Sequence, residues 1–319
     1  MFSEVEKNKR ESIFLMIFFI IILIGLGIAL GAIWGSIPFG GIVAAIFAII
    51  YSFIMFNSGD KTILSVTGAK KASKQKYPYL IHTVEGLAIA AGLPKTPEVY
   101  VIDDDALNAF ATGKDPSNSS IAVTTGLLDK LNKQELEGVI AHEMSHIKNY
   151  DIRIMMVAAV FVGVIALLSD LILRSMIYGG GRRKDSGNGQ MILIILGLIL
   201  AILAPFAVHL VKLAVSRKRE YAADASGVVL TRYPEGLASA LEKIKSDPDP
   251  LVDSANRATA HLFISSPFRK KKKSSVWSTH PPIEERIKRL RDMWLVYKIK
   301  VYTQIVNFIQ LTIIVITIK

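Results

Sequence analysis

The chain has 319 residues, of which 51% are hydrophobic, and a formal net charge of +11. Its mean hydropathy of +0.40 is too high for an ordinary soluble protein, and the apolar residues lie in blocks, which indicates membrane spans. The sequence has no cysteine, which excludes disulfides and thiolate metal sites. We attribute the positive charge to cationic flanks of membrane helices and expect no nucleic-acid partner.

Two long apolar runs lie near the N-terminus. Residues 13–34 and residues 37–56 are each long enough to cross a bilayer as a helix, and the second run ends at the polar residues 57–60. A signal peptide is the alternative for the first run, but it would have a shorter apolar core and a small-residue cleavage site. Because the second run follows almost at once, residues 1–56 are predicted to form a transmembrane hairpin.

The first soluble segment is predicted to span residues 57–151 and to contain a helix and a small sheet. Apolar residues at helical spacing predict the helix over residues 77–91. Alternating and β-rich stretches predict strands at residues 97–102, 106–113 and 120–125. The segment therefore has the α+β composition of a globular domain.

A second helix of this segment carries a candidate metal-binding motif. Asn132 and Glu135 have the spacing of a capping box, which predicts a helix that continues to about residue 150. This helix contains the pattern H-E-x-x-H, formed by His142-Glu143-Met144-Ser145-His146. The two imidazoles share one helix face and can bind one metal ion, while the glutamate can take a proton from a bound water. A chance match on a soluble helix is the alternative.

Two further apolar blocks follow, at residues 152–173 and 191–210, separated by a Gly-rich charged loop. Their length and scarcity of charge predict a second transmembrane hairpin over residues 152–213, although buried helices of a soluble core are the alternative. The flanking soluble segments are rich in Lys and Arg, which places them and the N-terminus on the cytoplasmic side of a plasma (inner) membrane. The loop between the two blocks is also basic and would obey this rule only if the blocks do not span.

The second soluble segment is predicted to span residues 214–297. Its predicted helices lie at residues 217–230, 234–244 and 281–296. A basic run at residues 269–273 is interpreted as a solvated loop, or as a contact for anionic lipid headgroups. The apolar tail, residues 298–319, fits an interfacial helix, a fifth span or a strand.

The second soluble segment also offers further metal ligands. A catalytic zinc has three protein ligands and a water, so His142 and His146 need a third partner, which without cysteine must be His, Asp or Glu. Glu220 and Asp224 are four residues apart and share a helix face. One of them can bind the metal while the other accepts a hydrogen bond from a ligand imidazole. The alternative for Glu220 is an exposed residue or an ion pair with Arg217.

Four motifs in the same order resemble those of the HtpX-type membrane zinc metalloproteases, which are related to the CAAX prenyl proteases. The motifs are Asn108-Ala109-Phe110-Ala111-Thr112-Gly113, Ala141 to His146, Ser216 to Asp224, and Thr279-His280-Pro281-Pro282 followed by Glu285-Arg286-Ile287. The resemblance implies a mainly α membrane protein with about four transmembrane helices. It also implies a cytosolic, zincin-like α+β metalloprotease domain with a small β-sheet.

The resemblance also implies roles for individual residues. It implies one Zn²⁺ per chain bound by His142, His146 and Glu220, with Glu143 as the general base. In this scheme Asp224 orients a ligand imidazole. The implied enzyme is a zinc metalloendopeptidase of the gluzincin type.

Two more residues correspond to family positions near the substrate. His280 resembles a histidine that stabilises the tetrahedral oxyanion, and Asn108 resembles a residue beside the bound substrate; a helix-start residue and a turn residue are the respective alternatives. The implied reaction is hydrolysis of misfolded or damaged membrane proteins at the cytoplasmic face. A prenyl-protein processing protease and a non-catalytic metal-binding membrane chaperone or scaffold remain alternatives.

Overall fold

The computed structural model describes residues 2–33, 35–179, 216–247, 259–265 and 281–295. Its helices are α1 (Phe2–Ile33), α2 (Ile37–Val66), α3 (Pro78–Ala91), α4 (Thr125–Lys130), α5 (Lys133–Lys148), α6 (Asp151–Gly179), α7 (Arg217–Thr231), α8 (Pro234–Ser246) and α9 (residues 283–295). Its strands are β1 (Lys70–Lys71), β2 (Glu98–Ile102), β3 (Ala109–Asp115) and β4 (Asn118–Thr124). The expected mainly helical architecture with one small sheet is confirmed.

The predicted N-terminal hairpin is present as α1 and α2. By length and apolarity, Glu4–Ala32 and Ile37–Val66 are each able to cross a membrane. The two helices approach so closely that a Cβ atom added at Gly31 would lie 3.0 Å from the Cα atom of Gly40. Small residues at such a contact let helix backbones pack without a hydrophobic driving force, as in membrane-embedded helix pairs.

The predicted end of the second helix at residues 57–60 is wrong, because α2 continues to Val66. Asn57 remains helical and donates its side-chain amide to the carbonyl of Phe53 at 2.9 Å. Gly59 permits a close helix contact rather than a turn, since a Cβ atom there would lie 3.3 Å from the Met156 side chain of α6. The uncharged run ends near residue 56 as expected, but the helix itself continues to Val66.

The sheet has the strand order β1-β2-β4-β3, with β2 and β4 parallel and the other pairs antiparallel. The three predicted strands are confirmed, but β3 begins at Ala109 and not at residue 106. The hydroxyl of Thr124 donates to the backbone carbonyls of Ala106 and Asn108 and accepts from the backbone N–H of Asn108. These side-chain bonds take the place of strand pairing at residues 106–108. The two-residue β1 and the short α4 were not predicted.

Helix α5 lies in the centre of the soluble part, packed against the sheet, α3, α7 and α8. Its predicted capping box is confirmed: Asn132 accepts from the Glu135 amide at 3.0 Å, and Glu135 accepts from the Asn132 amide at 2.8 Å. The chain ends α5 near Tyr150, which has a φ of 62°, and bends by 84° into α6. The first three turns of α6 are buried against α1, α2 and β3.

Helix α6 confirms that the third apolar block is helical, and it continues to Gly179, past the predicted end at residue 173. Helices α7, α8 and α9 confirm the three helices that were predicted in the second soluble segment. The fourth apolar block, most of the charged loop before it, the basic run, the tail and His280 lie outside the described residues.

Candidate metal centre

Three buried side chains from two helices form a cluster suited to a metal ion. His142 and His146 lie on α5, and Glu220 lies in the first turn of α7. One ligand atom of each residue lies within 4.8 Å of the others, and all three side chains are buried. Gly227 makes this approach possible, because its missing Cβ atom would lie 3.2 Å from the backbone nitrogen of His142.

The distances within the cluster match a metal donor set. The Nε2 atoms of His142 and His146 are 3.2 Å apart. The Glu220 carboxylate oxygens lie 3.8 Å from the His142 Nε2 atom and 3.6 Å from the His146 Nε2 atom. Donors about 2.1 Å from one tetrahedral zinc ion are about 3.4 Å apart, so the donor set fits zinc.

The second nitrogen of each imidazole faces a carboxylate. The Nδ1 atom of His142 lies 2.9 Å from Asp224 Oδ1, and that of His146 lies 2.9 Å from Asp151 Oδ2. A carboxylate accepts hydrogen bonds, which favours the Nδ1–H tautomer of each ring. The two Nε2 atoms then face each other and Glu220, where either a proton or a metal cation can lie between them.

The surrounding charges shift the pKa values of the two histidines in opposite directions. Burial alone would lower the pKa of His146, but its hydrogen bond to Asp151 and the charge of Glu220 raise it to about 9. Burial and the nearby Arg286 lower the pKa of His142. Asp151 and Glu220 therefore favour a positive charge at His146, whereas burial and Arg286 disfavour one on His142.

Arg286 on α9 contacts Asp224 and Glu220 of the cluster. It is 1% exposed, and its Nε and Nη2 atoms donate to Asp224 at 2.9 and 2.7 Å. Its Nη1 atom lies 3.4 Å from Glu220 Oε2. Burial raises the pKa of Asp224, but Arg286 and His142 more than offset this effect and lower it, so the carboxylate stays ionised.

Glu143 lies between the cluster and the edge of the sheet. Burial raises the pKa of its carboxyl group to about 7, although His146 opposes the shift. The backbone N–H of Ala111 in β3 is close enough to this carboxylate to oppose the shift as well. Because β3 is the last strand of the described sheet, Glu143 faces the strand edge to which an extended peptide could add.

Residues 259–265 lie along the same edge of β3. The amide of Ile264 donates to the Ala109 carbonyl at 2.9 Å, and the Ile264 carbonyl accepts from Arg286 at 3.2 Å. Asn108, the predicted substrate residue, is buried and donates to the Ser265 carbonyl at 3.0 Å. This segment helps to close the centre off from solvent in the present conformation.

Sequence reasoning missed two residues of the centre. Asp151 was not singled out by any motif, and it lies five residues after His146, past the end of the motif helix. Arg286 was noted as part of a motif but was given no role. The structure brings His142, His146, Glu143, Glu220 and Asp224 together.

Comparison with known proteins gives the family. A family model described as Peptidase family M48 matches residues 74–294. The chain belongs to peptidase family M48. The resemblance inferred from the four motifs is thus confirmed, and with it the assignment as a membrane metalloprotease.

Individual M48 relatives are similar along nearly their whole length. The chain is 48% identical over 292 residues to "Protease HtpX homolog" of Dictyoglomus turgidum, which covers 92% of this chain and 94% of that protein. It is 44% identical to the protein of the same name from Streptococcus gordonii, covering 92% of this chain and 100% of that protein. The crystal structure of S. mikatae Ste24p matches with a TM-score of 0.43 at 19% identity, covering 77% of this chain and 57% of that chain.

Proposed function

We propose that this M48 protein is a zinc-dependent endopeptidase that cleaves misfolded or damaged membrane proteins at the cytoplasmic face. One observation carries the proposal. His142, His146 and Glu220 form a buried three-donor cluster, and Glu143 stands between this cluster and an edge strand. A structural zinc would need a fourth protein ligand, whereas three donors with an acidic neighbour suit hydrolysis.

The residues around the cluster have separate roles in this proposal. When bound, zinc would polarise the scissile carbonyl and lower the pKa of a coordinated water towards 7. Glu143 accepts a proton from the attacking water and passes it to the leaving amine, a task suited to a carboxyl group with a pKa of about 7. Asp224 and Asp151 hold the ligand imidazoles in the required tautomer and orientation. His280 would stabilise the oxyanion.

The edge of β3 supports an extended polypeptide as the substrate. The Ala109 carbonyl and the Ala111 N–H lie two residues apart on one strand; the first accepts from the Ile264 amide, and the second lies beside the Glu143 carboxylate. A substrate that replaces Ile264 and pairs with these main-chain groups would be recognised by its backbone, which suits unfolded segments of varied sequence. Asn108 directly precedes this strand and is the proposed substrate contact.

The membrane hairpin supports the proposed location. The polar first turns of α1 contact α6 and α7 beside the metal centre, and α1 then continues as an apolar helix. The site therefore lies near the end of α1 that carries Lys7, Lys9 and Arg10. By the positive-inside rule this end is cytoplasmic. We propose the organisation 1–56 and 152–213 as membrane hairpins, 57–151 and 214–297 as the catalytic domain, and 298–319 as the apolar tail.

The proposal is tested with full-length protein in detergent that has been stripped of metal and reloaded with zinc. The substrates are unfolded casein and a prenylated peptide, and the variants are Glu143→Gln and Glu220→Ala. Casein cleavage should depend on zinc. Glu143→Gln should keep zinc and cleave about 10²–10⁴-fold more slowly, whereas Glu220→Ala should lose zinc.

Other outcomes identify the alternatives. Undiminished cleavage by Glu143→Gln would contradict the assigned base. Cleavage of the prenylated peptide without cleavage of casein would indicate a prenyl-protein processing enzyme. Zinc binding without any cleavage would indicate a metal-binding scaffold or chaperone.

A further inference from the structure

The polar beginning of the N-terminal helix is buried against the catalytic part of the chain. Asn8 is 1% exposed, although it lies only one turn before the apolar part of α1. Its side-chain amide donates to Asp151 Oδ1 at 2.6 Å and to the Asn149 carbonyl at 2.8 Å. Both acceptors lie at the bend between α5 and α6. A buried amide with two such bonds fixes the position of this helix end relative to the bend.

A second contact joins the same part of α1 to α7. Arg219 donates through Nε to Asn8 Oδ1 at 3.2 Å, and this Nε lies 3.4 Å from Asp151 Oδ1. Its Nη2 atom pairs with Glu11, one turn further along α1. Arg219 directly precedes Glu220, so the residue beside the third proposed ligand is also held by α1.

These contacts form a continuous connection from α1 to a proposed ligand. Asn8 bonds to one oxygen of Asp151, and the other oxygen of Asp151 lies 2.9 Å from the Nδ1 atom of His146. A buried carboxylate needs donors on both oxygens, and those donors determine its orientation. The orientation of Asp151 in turn sets the direction of the His146 ring.

We propose that Asn8 is a positioning residue of the metal centre and that the membrane hairpin, through α1, holds His146 and Glu220 in ligand geometry. This inference rests on the proposed ligand set. Its essential element is the hydrogen-bond donor of Asn8, not the volume of the side chain. The α1–α2 hairpin is then a part of the metal site and not only a membrane anchor.

Zinc affinity of the full-length protein in detergent, measured by competition with a chromogenic chelator, tests the role of the donor. Asn8→Asp keeps the shape of the side chain and replaces the donor with a second carboxylate facing Asp151. We expect Asn8→Asp and Asn8→Ala to bind zinc about 10-fold more weakly, in the range found for outer partners of metal ligands. Glu6→Ala changes an exposed residue of the same helix and should leave the affinity unchanged.

An exchange of the two side chains keeps the test decisive if the single variants fold poorly. When Asn8→Asp is combined with Asp151→Asn, the amide introduced at position 151 donates to the carboxylate introduced at position 8. The oxygen of that amide still accepts from His146. This double variant should bind zinc more tightly than Asn8→Asp alone. With Co²⁺ in place of zinc, the visible spectrum should change in Asn8→Asp and return towards the wild-type spectrum in the double variant.

Two results separate failure of this inference from failure of the proposed function. His146→Ala should lose zinc; if it does not, the proposed ligand set is wrong. If His146→Ala loses zinc while Asn8→Asp retains the wild-type affinity and cobalt spectrum, the ligand set stands and the positioning role of Asn8 is overturned.

Discussion

Arg286 donates two hydrogen bonds to Asp224, from Nε at 2.9 Å and from Nη2 at 2.7 Å, and both side chains are almost fully buried. The pair joins α9 to α7, and Asp224 continues the connection to His142. Bidentate arginine–carboxylate pairs fix orientation as well as charge. Asp224 is therefore held ionised and in place, and it can accept a hydrogen bond from the Nδ1–H group of His142.

Replacing Arg286 should destabilise the protein severely. Arg286→Met leaves Asp224 and Glu220 buried without their cation, and breaking a buried ion pair in this way costs about 3–5 kcal/mol. Denaturant unfolding in detergent measures the loss. Lys288→Met is the matched control, because it removes an exposed cation from the same helix. Equal stability of Arg286→Met and this control would show that Arg286 does not hold the two carboxylates.

Metal removal should lower the thermal stability, because the ligand nitrogens and Glu220 then face each other without a cation. Zinc at 100 times its dissociation constant should stabilise the folded state by about 2.7 kcal/mol through mass action. Thermal unfolding with zinc and with chelator measures this difference. Glu143→Gln should keep the zinc-dependent shift, and Glu220→Ala should lose most of it. A full shift in Glu220→Ala would place the zinc elsewhere.

The packing of α5 against α8 depends on Gly138. A Cβ atom there would lie 2.6 Å from the backbone nitrogen of Leu237. Because the contacted atom belongs to the backbone, no side-chain movement can relieve this clash. Gly138→Ala should destabilise the protein by about 1–3 kcal/mol, as other overpacking substitutions do. Gly86→Ala on α3 meets open space and should instead stabilise by about 0.5–1 kcal/mol through helix propensity. Unfolding of the two variants should therefore shift in opposite directions.

The start of the motif helix depends on the Asn132 cap. Asn132→Ala removes the acceptor for the Glu135 amide and should cost about 1 kcal/mol. Asn132→Asp keeps an acceptor and places a negative charge at the helix N-terminus, so it should retain the wild-type stability. A comparison of their thermal unfolding temperatures checks the cap, and equal losses in both variants would contradict this explanation.

The features that the sequence predicted correctly depend on local spacing. Residues four apart share a helix face, so the sequence alone predicts that His142 and His146 project from one side of their helix, and that Glu220 and Asp224 do so from theirs. The capping box and the length of the first two apolar runs are also local properties. The end of α2 is not a local property. Gly59 among polar residues predicts the end of a helix, and only the contact with Met156 shows why the helix continues through it.

Other features depend on where distant segments meet. The sequence offered Glu220 as a ligand but left an ion pair with Arg217 open; only the crossing of α5 and α7 places it beside the two imidazoles. Asp151 and Asn8 look like ordinary polar residues at the ends of apolar blocks.

Their contribution to the centre arises from packing of α1 against the bend between α5 and α6. The hydrogen-bonding capacity of a side chain is encoded locally, but its partner is selected by tertiary contacts that bring distant segments together. The sequence by itself thus determined the types of side chain available to this metalloprotease. The tertiary structure decided which distant residues orient them.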